Sequence, residues 1–132
     1  MFEFGSNSKK NMQGLHPALI EILNRAIQIS VLDFGIPSTG GLRSAEQQAK
    51  LFKDGKSKCD GVFKKSYHQS GRAVDVYAYV DGAASWDKYH LSMIANAMLK
   101  AAMQLGYTDL EWGGLWTNFV DMPHFQLNER DY

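Results

Sequence analysis

The side chains best suited to catalysis occur in two short segments that are far apart in the chain. SYHQSGRAVDVYAYV contains His68 and Asp75, and DMPHFQL contains Asp121 and His124. Two histidines and one carboxylate are the ligand set of a catalytic zinc site, which leaves the fourth position open to water. Such an ion lowers the pKa of its water to about 7, and Asp121 is near enough to His124 in the chain to act as the base. We therefore predict one zinc ion bound by His68, Asp75 and His124.

Asp75 lies in an alternating segment that predicts a β-strand over residues 74–80. The side chains predicted to face the core are those of Val74, Val76, Ala78 and Val80, and those predicted to face the other side are Asp75, Tyr77 and Tyr79. His124 belongs to a second predicted strand, PHFQL, and can share the face of Asp75. In a continuous helix His68 would lie about 10 Å from Asp75 along the axis. The site therefore requires a turn between them, for which Ser70 and Gly71 are suited.

Helices are expected to surround these strands. Periodic apolar residues predict helices over residues 17–29 and 86–105. Ser44 and Gln47 have the spacing of a capping box at the start of another helix between them, and Gly106 is placed to end the last helix in a left-handed cap. The order helix, helix, strand, helix, strand predicts an α+β domain in which helices pack on a small antiparallel β-sheet.

The composition is that of an ordinary globular protein. The chain has 132 residues, 45% of them hydrophobic, and we expect a single domain spanning residues 1–132. Fourteen basic and fourteen acidic residues give a net charge of zero, so no general attraction to nucleic acid or to a membrane surface is expected. No segment approaches the roughly 20 apolar residues of a membrane span. The single cysteine, Cys59, is expected to be a free thiol.

Taken together, the motifs resemble the paired signature of the zinc D-Ala-D-Ala carboxypeptidase and L-alanyl-D-glutamate endopeptidase family, whose relatives include the Hedgehog-type zinc fold. Its two parts are Ser66-x-His68-x-x-Gly71-x-Ala73-x-Asp75 and Asp121-x-x-His124. Upstream, GLRSAEQQ resembles the family's glycine-x-arginine-serine/threonine stretch, and Leu15-His16-Pro17 is similar to phage endolysins of this group. The resemblance covers nearly the whole chain and implies a Hedgehog/DD-peptidase-like fold.

The resemblance also implies roles for individual residues. His68, Asp75 and His124 match the zinc ligands, and Asp121 matches the catalytic acid and base. Arg43 matches an arginine that faces the substrate carbonyl or carboxylate, where a fixed guanidinium stabilises a developing oxyanion.

Four further residues are predicted to bind substrate. Ser66 is expected to support the site by hydrogen bonding. Three aromatic side chains are expected to line the cleft: Tyr77, Trp112 and Trp116. For the two tryptophans, packing in the core is an equal alternative, because large aromatic side chains serve both roles. His16 and His90 lie outside any motif, and we assign both to structural positions.

The implied function is that of a phage endolysin, a zinc metallopeptidase that cleaves the L-Ala–D-Glu bond of peptidoglycan stem peptides. Some branches of the family have glutamate where this chain has Asp121, and aspartate favours the endopeptidase over a D-Ala-D-Ala carboxypeptidase or dipeptidase with the same zinc site. A non-catalytic zinc-stabilised wall-binding module is less favoured, since it would need no base.

We expect neither a secretory signal nor a separate cell-wall-binding domain in this protein. We therefore expect a monomer that does not insert into membranes and accumulates in the cytoplasm of the infected bacterium. A separate holin-type protein would then release it to the wall.

Overall fold

The computed structural model describes residues 1–128, which form helices and two small antiparallel sheets. The α-helices are α1 (Ser6–Asn11), α2 (Pro17–Ile29), α3 (Ala45–Lys53) and α4 (Lys88–Leu105). The strands are β1 (Asp33–Gly35), β2 (Ala73–Asp75), β3 (Tyr77–Val80), β4 (Ala83–Ser85), β5 (Leu110–Trp112) and β6 (His124–Leu127). Short 3₁₀ turns span Tyr67–Ser70 and Gly113–Leu115. The predicted α+β class is confirmed.

Helices α2 and α4 pack against each other and supply much of the core. Pro17 occupies the first turn of α2, where its missing N–H costs no hydrogen bond. The ring Nδ1 of His16 accepts the N–H of Ala18 at 3.1 Å, so His16 has the structural role expected of it. Fully buried side chains from both helices and from the sheet meet in the core: Leu19, Ile22, Leu23, Ile94, Met98, Val74 and Phe125.

The predicted helix caps are present. Ser44 Oγ accepts the N–H of Gln47 at 3.1 Å, and Gln47 Oε1 accepts the N–H of Ser44 at 2.8 Å, which completes the capping box of α3. Helix α4 begins slightly later than predicted, because the Asp87 side chain caps it. It ends at Gly106, whose φ of 86° lies in the left-handed region that glycine tolerates. Within residues 1–128, no helix has both the length and the apolar character needed to cross a membrane.

The predicted single strand over residues 74–80 is wrong. The segment forms two strands, β2 and β3, which belong to different sheets and are separated at Val76. Strand β2 pairs with β6, β3 pairs with β1 and β4, and the N–H of Val76 between them donates to the Pro123 carbonyl at 3.0 Å. The predicted alternation survives this change of partner, since Val74, Val76 and Ala78 are fully buried. Alternation determines the side a residue faces but not the strand it pairs with.

The sheet with strand order β2-β6-β5 carries the predicted site residues. Its antiparallel register places Asp75 opposite His124, and Glu111 opposite Gln126. Residues directly opposite in such a pair lie on one face of the sheet. The expectation that His124 shares the face of Asp75 is therefore confirmed.

Candidate functional site

Three side chains with metal-binding atoms converge where the Tyr67–Ser70 turn meets sheet β2-β6-β5. His68 Nε2 lies 3.4 Å from Asp75 Oδ1, and His124 Nδ1 lies 3.1 Å from the same oxygen. One ligand atom from each residue can be chosen so that all three lie within 4.8 Å of one another. His68 and His124 are only 2% and 7% exposed. The structure thus brings together the three residues predicted to bind zinc.

The turn required between His68 and Asp75 is present. Ser66 Oγ accepts the N–H of His68 at 3.2 Å and so caps the 3₁₀ turn. The turn ends at Gly71 with a φ of 73°, and a Cβ atom there would lie 2.6 Å from the Gly14 carbonyl oxygen. Both the positive φ and the close approach require glycine, and together they allow the chain to reverse between the two ligands.

The outer nitrogen of each histidine faces a hydrogen-bond acceptor. His68 Nδ1 lies 3.0 Å from the Gly41 carbonyl oxygen, and His124 Nε2 lies 2.8 Å from Gln126 Oε1. A neutral imidazole has one N–H, and when that hydrogen points outward the inner nitrogen presents a lone pair. Two such lone pairs and the Asp75 carboxylate would then surround a bound cation, which takes the place of the hydrogens that the inner nitrogens otherwise donate to Asp75. The donor set therefore fits a zinc ion.

Asp75 is the electrostatic centre of this cluster. Burial by itself raises the pKa of Asp75, but hydrogen bonds from His124 and His68 and the charges of these histidines hold that pKa well below its ordinary value. Burial lowers the pKa of His124, and the hydrogen bond and charge of Asp75 more than offset this, so that the pKa of His124 is raised. The carboxylate of Asp75 is consequently ionised at neutral pH, as a metal ligand must be.

Arg43 holds the second oxygen of Asp75. Its Nη2 lies 3.0 Å from Asp75 Oδ2, its Nη1 donates to Gln48 Oε1 at 3.1 Å, and its Nε donates to the Thr39 carbonyl at 2.8 Å. Burial lowers the pKa of Arg43, while the negative charges of Asp75 and Asp121 act in the opposite direction. The contacts place Arg43 on Asp75, one of the three predicted metal ligands, and the action of Arg43 on a substrate carbonyl stays a prediction.

Asp121 lies just before β6, and its carboxylate interacts electrostatically with Asp75, His124 and His68. Burial raises the pKa of Asp121, and the negative charge of Asp75 raises it further against the opposing charges of His124, His68 and Arg43. A carboxylate with a raised pKa beside a metal site is suited to accept a proton and return it.

Backbone hydrogen bonds position this segment. The N–H of Asp121 donates to the Gly113 carbonyl at 3.0 Å, and the Asp121 carbonyl accepts the N–H of His124 at 3.2 Å. A Cβ atom at Gly113 would collide with the Asp121 carbonyl oxygen, so the close approach of the two segments requires glycine.

Comparison with known proteins identifies the family of this chain. A profile of the phage L-alanyl-D-glutamate peptidase family matches residues 1–128. The chain belongs to this family. It is 32% identical over 132 residues to the L-alanyl-D-glutamate peptidase of Escherichia phage T5, across 99% of this chain and 93% of that protein. It is 30% identical over 126 residues to the peptidoglycan L-alanyl-D-glutamate endopeptidase CwlK of Bacillus subtilis, across 86% of this chain and 73% of that protein.

Comparison of the structure with solved structures leads to the same kind of protein. The crystal structure of the L-Ala D-Glu endopeptidase ChiX of Serratia marcescens matches with a TM-score of 0.85 at 36% sequence identity, covering 98% of this chain and 93% of that one. The predicted family resemblance, the fold and the assignment as a peptidase are confirmed.

The two tryptophans of this peptidase occupy different environments. The ring centroid of Trp116 lies 5.3 Å from that of His124, and its indole N–H donates to Glu111. Trp112 instead stacks on the buried Phe125 with a centroid separation of 6.4 Å. Of the two alternatives, these contacts place Trp112 against the core and Trp116 beside the metal ligands.

Tyr77 lies in the other sheet, whereas Ser66 adjoins His68. Tyr77 is in β3, and its ring centroid is 5.8 Å from that of Trp86. Ser66 caps the turn that carries His68 and also lines a cavity of about 880 Å³, together with Arg43. The described residues around this cavity include three basic side chains and no acidic one. Substrate binding by Ser66, Tyr77, Trp112 and Trp116 stays a prediction.

Two glutamines that contact the predicted site residues were not predicted from the sequence. Gln48 is fully buried, accepts a hydrogen bond from Arg43 and donates to Ser57 Oγ and the Cys59 carbonyl. No sequence signal marks this contact, because it joins a helix to loops on either side. Gln126 could have been found, since it follows His124 by two residues on a predicted strand and must share its face.

Proposed function

We propose that this peptidase is a zinc-dependent L-alanyl-D-glutamate endopeptidase that hydrolyses the amide bond between L-Ala and D-Glu in peptidoglycan stem peptides. The observation that carries the proposal is the convergence of two histidines, each with its outer nitrogen facing an acceptor, on the ionised Asp75, with the raised-pKa carboxylate of Asp121 nearby. The bond is inferred from the names of the relatives that match nearly the whole chain.

The chain's own residues divide the work of hydrolysis. A zinc ion bound by His68, Asp75 and His124 would lower the pKa of a coordinated water and polarise the substrate carbonyl. Asp121 accepts a proton from the attacking water and delivers it to the nitrogen of the leaving D-Glu. Arg43 orients Asp75 through its contact with Oδ2, with its remaining N–H groups available to the negative charge that develops on the carbonyl oxygen.

The products define the test. Addition of water across this amide leaves a carboxylate on L-Ala and a free α-amino group on D-Glu. Purified peptidoglycan is digested with zinc-loaded protein, and the fragments are analysed by mass spectrometry after labelling of new amino groups. We expect labelled D-Glu at the new amino terminus. Loss of terminal D-alanine with an intact L-Ala–D-Glu bond would instead establish the carboxypeptidase alternative.

Metal content is tested on the same preparation. We expect about one zinc ion per chain by elemental analysis, loss of hydrolysis after chelation and recovery when zinc is added back. Full activity in the chelated protein would contradict a zinc-dependent mechanism.

We propose further that the protein acts as a phage endolysin on the wall of the infected bacterium, reaching it from the cytoplasm with the help of a separate holin-type protein. The likeness to a phage T5 protein supports this setting. Expression in a bacterial host with and without a co-expressed holin tests it, and we expect lysis only when both are present. Lysis by the peptidase alone would refute the dependence on a second protein.

A further inference from the structure

A row of polar side chains crosses one face of sheet β2-β6-β5, from Asp75 at one edge to Glu111 at the other. Beyond His124, the row continues through Gln126 and Asn128. His124 Nε2 lies 2.8 Å from Gln126 Oε1, Gln126 Nε2 lies 3.2 Å from Asn128 Oδ1, and Asn128 Nδ2 lies 2.8 Å from Glu111 Oε2. The residues form an unbroken chain of hydrogen bonds that ends on a metal ligand.

Glu111 sets the direction of this chain, because an ionised carboxylate only accepts hydrogen bonds. Its Oε2 must receive a hydrogen from the amide nitrogen of Asn128, which leaves Asn128 Oδ1 to accept from Gln126 Nε2. Gln126 Oε1 then faces His124 Nε2, which must carry the hydrogen. His124 Nδ1, which lies 3.1 Å from Asp75 Oδ1, is then the ring nitrogen that can give up its hydrogen and bind a metal ion.

The same carboxylate also holds the aromatic side chain beside the ligands. The indole N–H of Trp116 donates to Glu111 Oε1, and its ring lies 5.3 Å from the ring of His124. Both oxygens of Glu111 are therefore used, one for the hydrogen-bonded chain and one for Trp116. Glu111 thereby links the hydrogen-bonded chain that reaches His124 to the placement of Trp116.

We propose that Glu111, Asn128 and Gln126 are positioning residues that hold His124 in the Nε2–H tautomer and so make Nδ1 the metal-binding atom. The inference rests on the zinc site of the proposed function and adds residues that set the affinity of that site. Loss of such an outer partner of a metal-bound histidine lowers metal affinity by about 10–100-fold.

The tautomer is tested first, in metal-free protein. Long-range ¹H–¹⁵N spectra of labelled histidine, recorded above the pKa of His124, distinguish a protonated Nε2 from a protonated Nδ1. We expect a larger share of the Nε2–H tautomer in the wild type than in Gln126→Leu, where Asp75 is the remaining acceptor. Gln126→Glu keeps an acceptor and is expected to keep the wild-type tautomer. An unchanged tautomer in Gln126→Leu overturns the proposal.

Zinc affinity is measured next, by competition with a chromogenic chelator. We expect Gln126→Leu to bind zinc about 10–100-fold more weakly and Gln126→Glu to recover most of the loss. The matched control is Gln104→Leu, which removes an exposed side-chain hydrogen bond to Arg25 on the helical surface and should leave affinity unchanged. Wild-type affinity in a folded Gln126→Leu overturns the proposal.

The two measurements separate this inference from the proposed function. If the wild type binds no zinc, the proposed function fails, while the tautomer spectra still decide whether Gln126 directs His124. Circular dichroism confirms that each variant is folded. If Gln126→Leu does not fold, Gln126→Glu and Asn128→Ala decide the matter, since the first should keep the tautomer and the second should weaken its preference. Loss of the wild-type tautomer in Gln126→Glu, together with an unchanged tautomer in Asn128→Ala, overturns the proposal.

Discussion

Replacement of Arg43 tests whether this arginine acts by holding Asp75. The guanidinium donates from three nitrogens to acceptors in three directions, which a single lysine ammonium cannot reproduce. Arg43→Lys keeps a positive charge near Asp75 but leaves Oε1 of the fully buried Gln48 without its donor, which costs about 1–3 kcal/mol. Arg43→Met also removes the charge. Because the two side chains are only 11% and 23% exposed, we expect a loss of about 3–5 kcal/mol, the range for breaking a buried ion pair.

The assay is urea denaturation of metal-free protein, combined with zinc affinity from chelator competition and with kcat on a stem peptide. We expect both variants to bind zinc more weakly than the wild type, because Asp75 loses its orientation. The loss of affinity should be larger in Arg43→Met than in Arg43→Lys. Arg25→Met, at an exposed arginine, is the control and should stay within about 0.5 kcal/mol of wild type. If Arg43→Met keeps wild-type stability and zinc affinity but loses kcat, Arg43 acts on the substrate and the reasoning is refuted.

The same geometry predicts three further results. Asp121→Asn should lower kcat about 10²–10⁴-fold with zinc still bound. The control Asp54→Asn, at an exposed position, should leave kcat unchanged. Wild-type activity in Asp121→Asn would exclude Asp121 as the base. In metal-free protein, the raised pKa of His124 contributes stability that is fully present below its ordinary value of 6.5 and is lost as the pH rises through the raised pKa. The melting temperature of the wild type in chelator should therefore be higher at pH 6 than at pH 8, and this difference should be smaller in His124→Asn. Equal differences in the two proteins would contradict the conclusion that His124 has a raised pKa. Gly71→Ala should cost at least about 1–2 kcal/mol in urea denaturation. Gly55 has a similar positive φ of 74° but open space around it, so Gly55→Ala serves as the control. Equal losses of stability in the two variants would show that the close contact at Gly71 has no effect.

Local signals in the sequence predicted the helices well. Pro17, the Ser44 and Gln47 pair, and Gly106 each act through hydrogen bonds or backbone angles within a few residues of their own position. Such signals do not depend on the rest of the fold, and the structure confirms them. Helix α1 and the three-residue strands β1, β4 and β5 were not predicted, because segments this short do not complete enough periods to give a pattern.

The site shows where local signals stop. Alternation correctly placed Asp75 on the face opposite Val74 and Val76, but the break between β2 and β3 depends on Val76 donating to the Pro123 carbonyl in a distant segment. The core contact of Trp112 with Phe125 likewise follows from the pairing of β5 with β6. Both features depend on strand partners, which periodicity does not specify.

The sequence by itself determined which side chains are available for metal chemistry, the local faces on which His124 and Asp75 lie, and the turn at Gly71. Only the tertiary structure decided that Arg43 binds the second oxygen of Asp75 and that the buried Gln48 accepts a hydrogen bond from Arg43. The reason is one of distance. Side-chain direction follows from backbone geometry over a few residues, whereas contacts such as His124 with Asp75, 49 residues apart, exist only after strands and helices have packed.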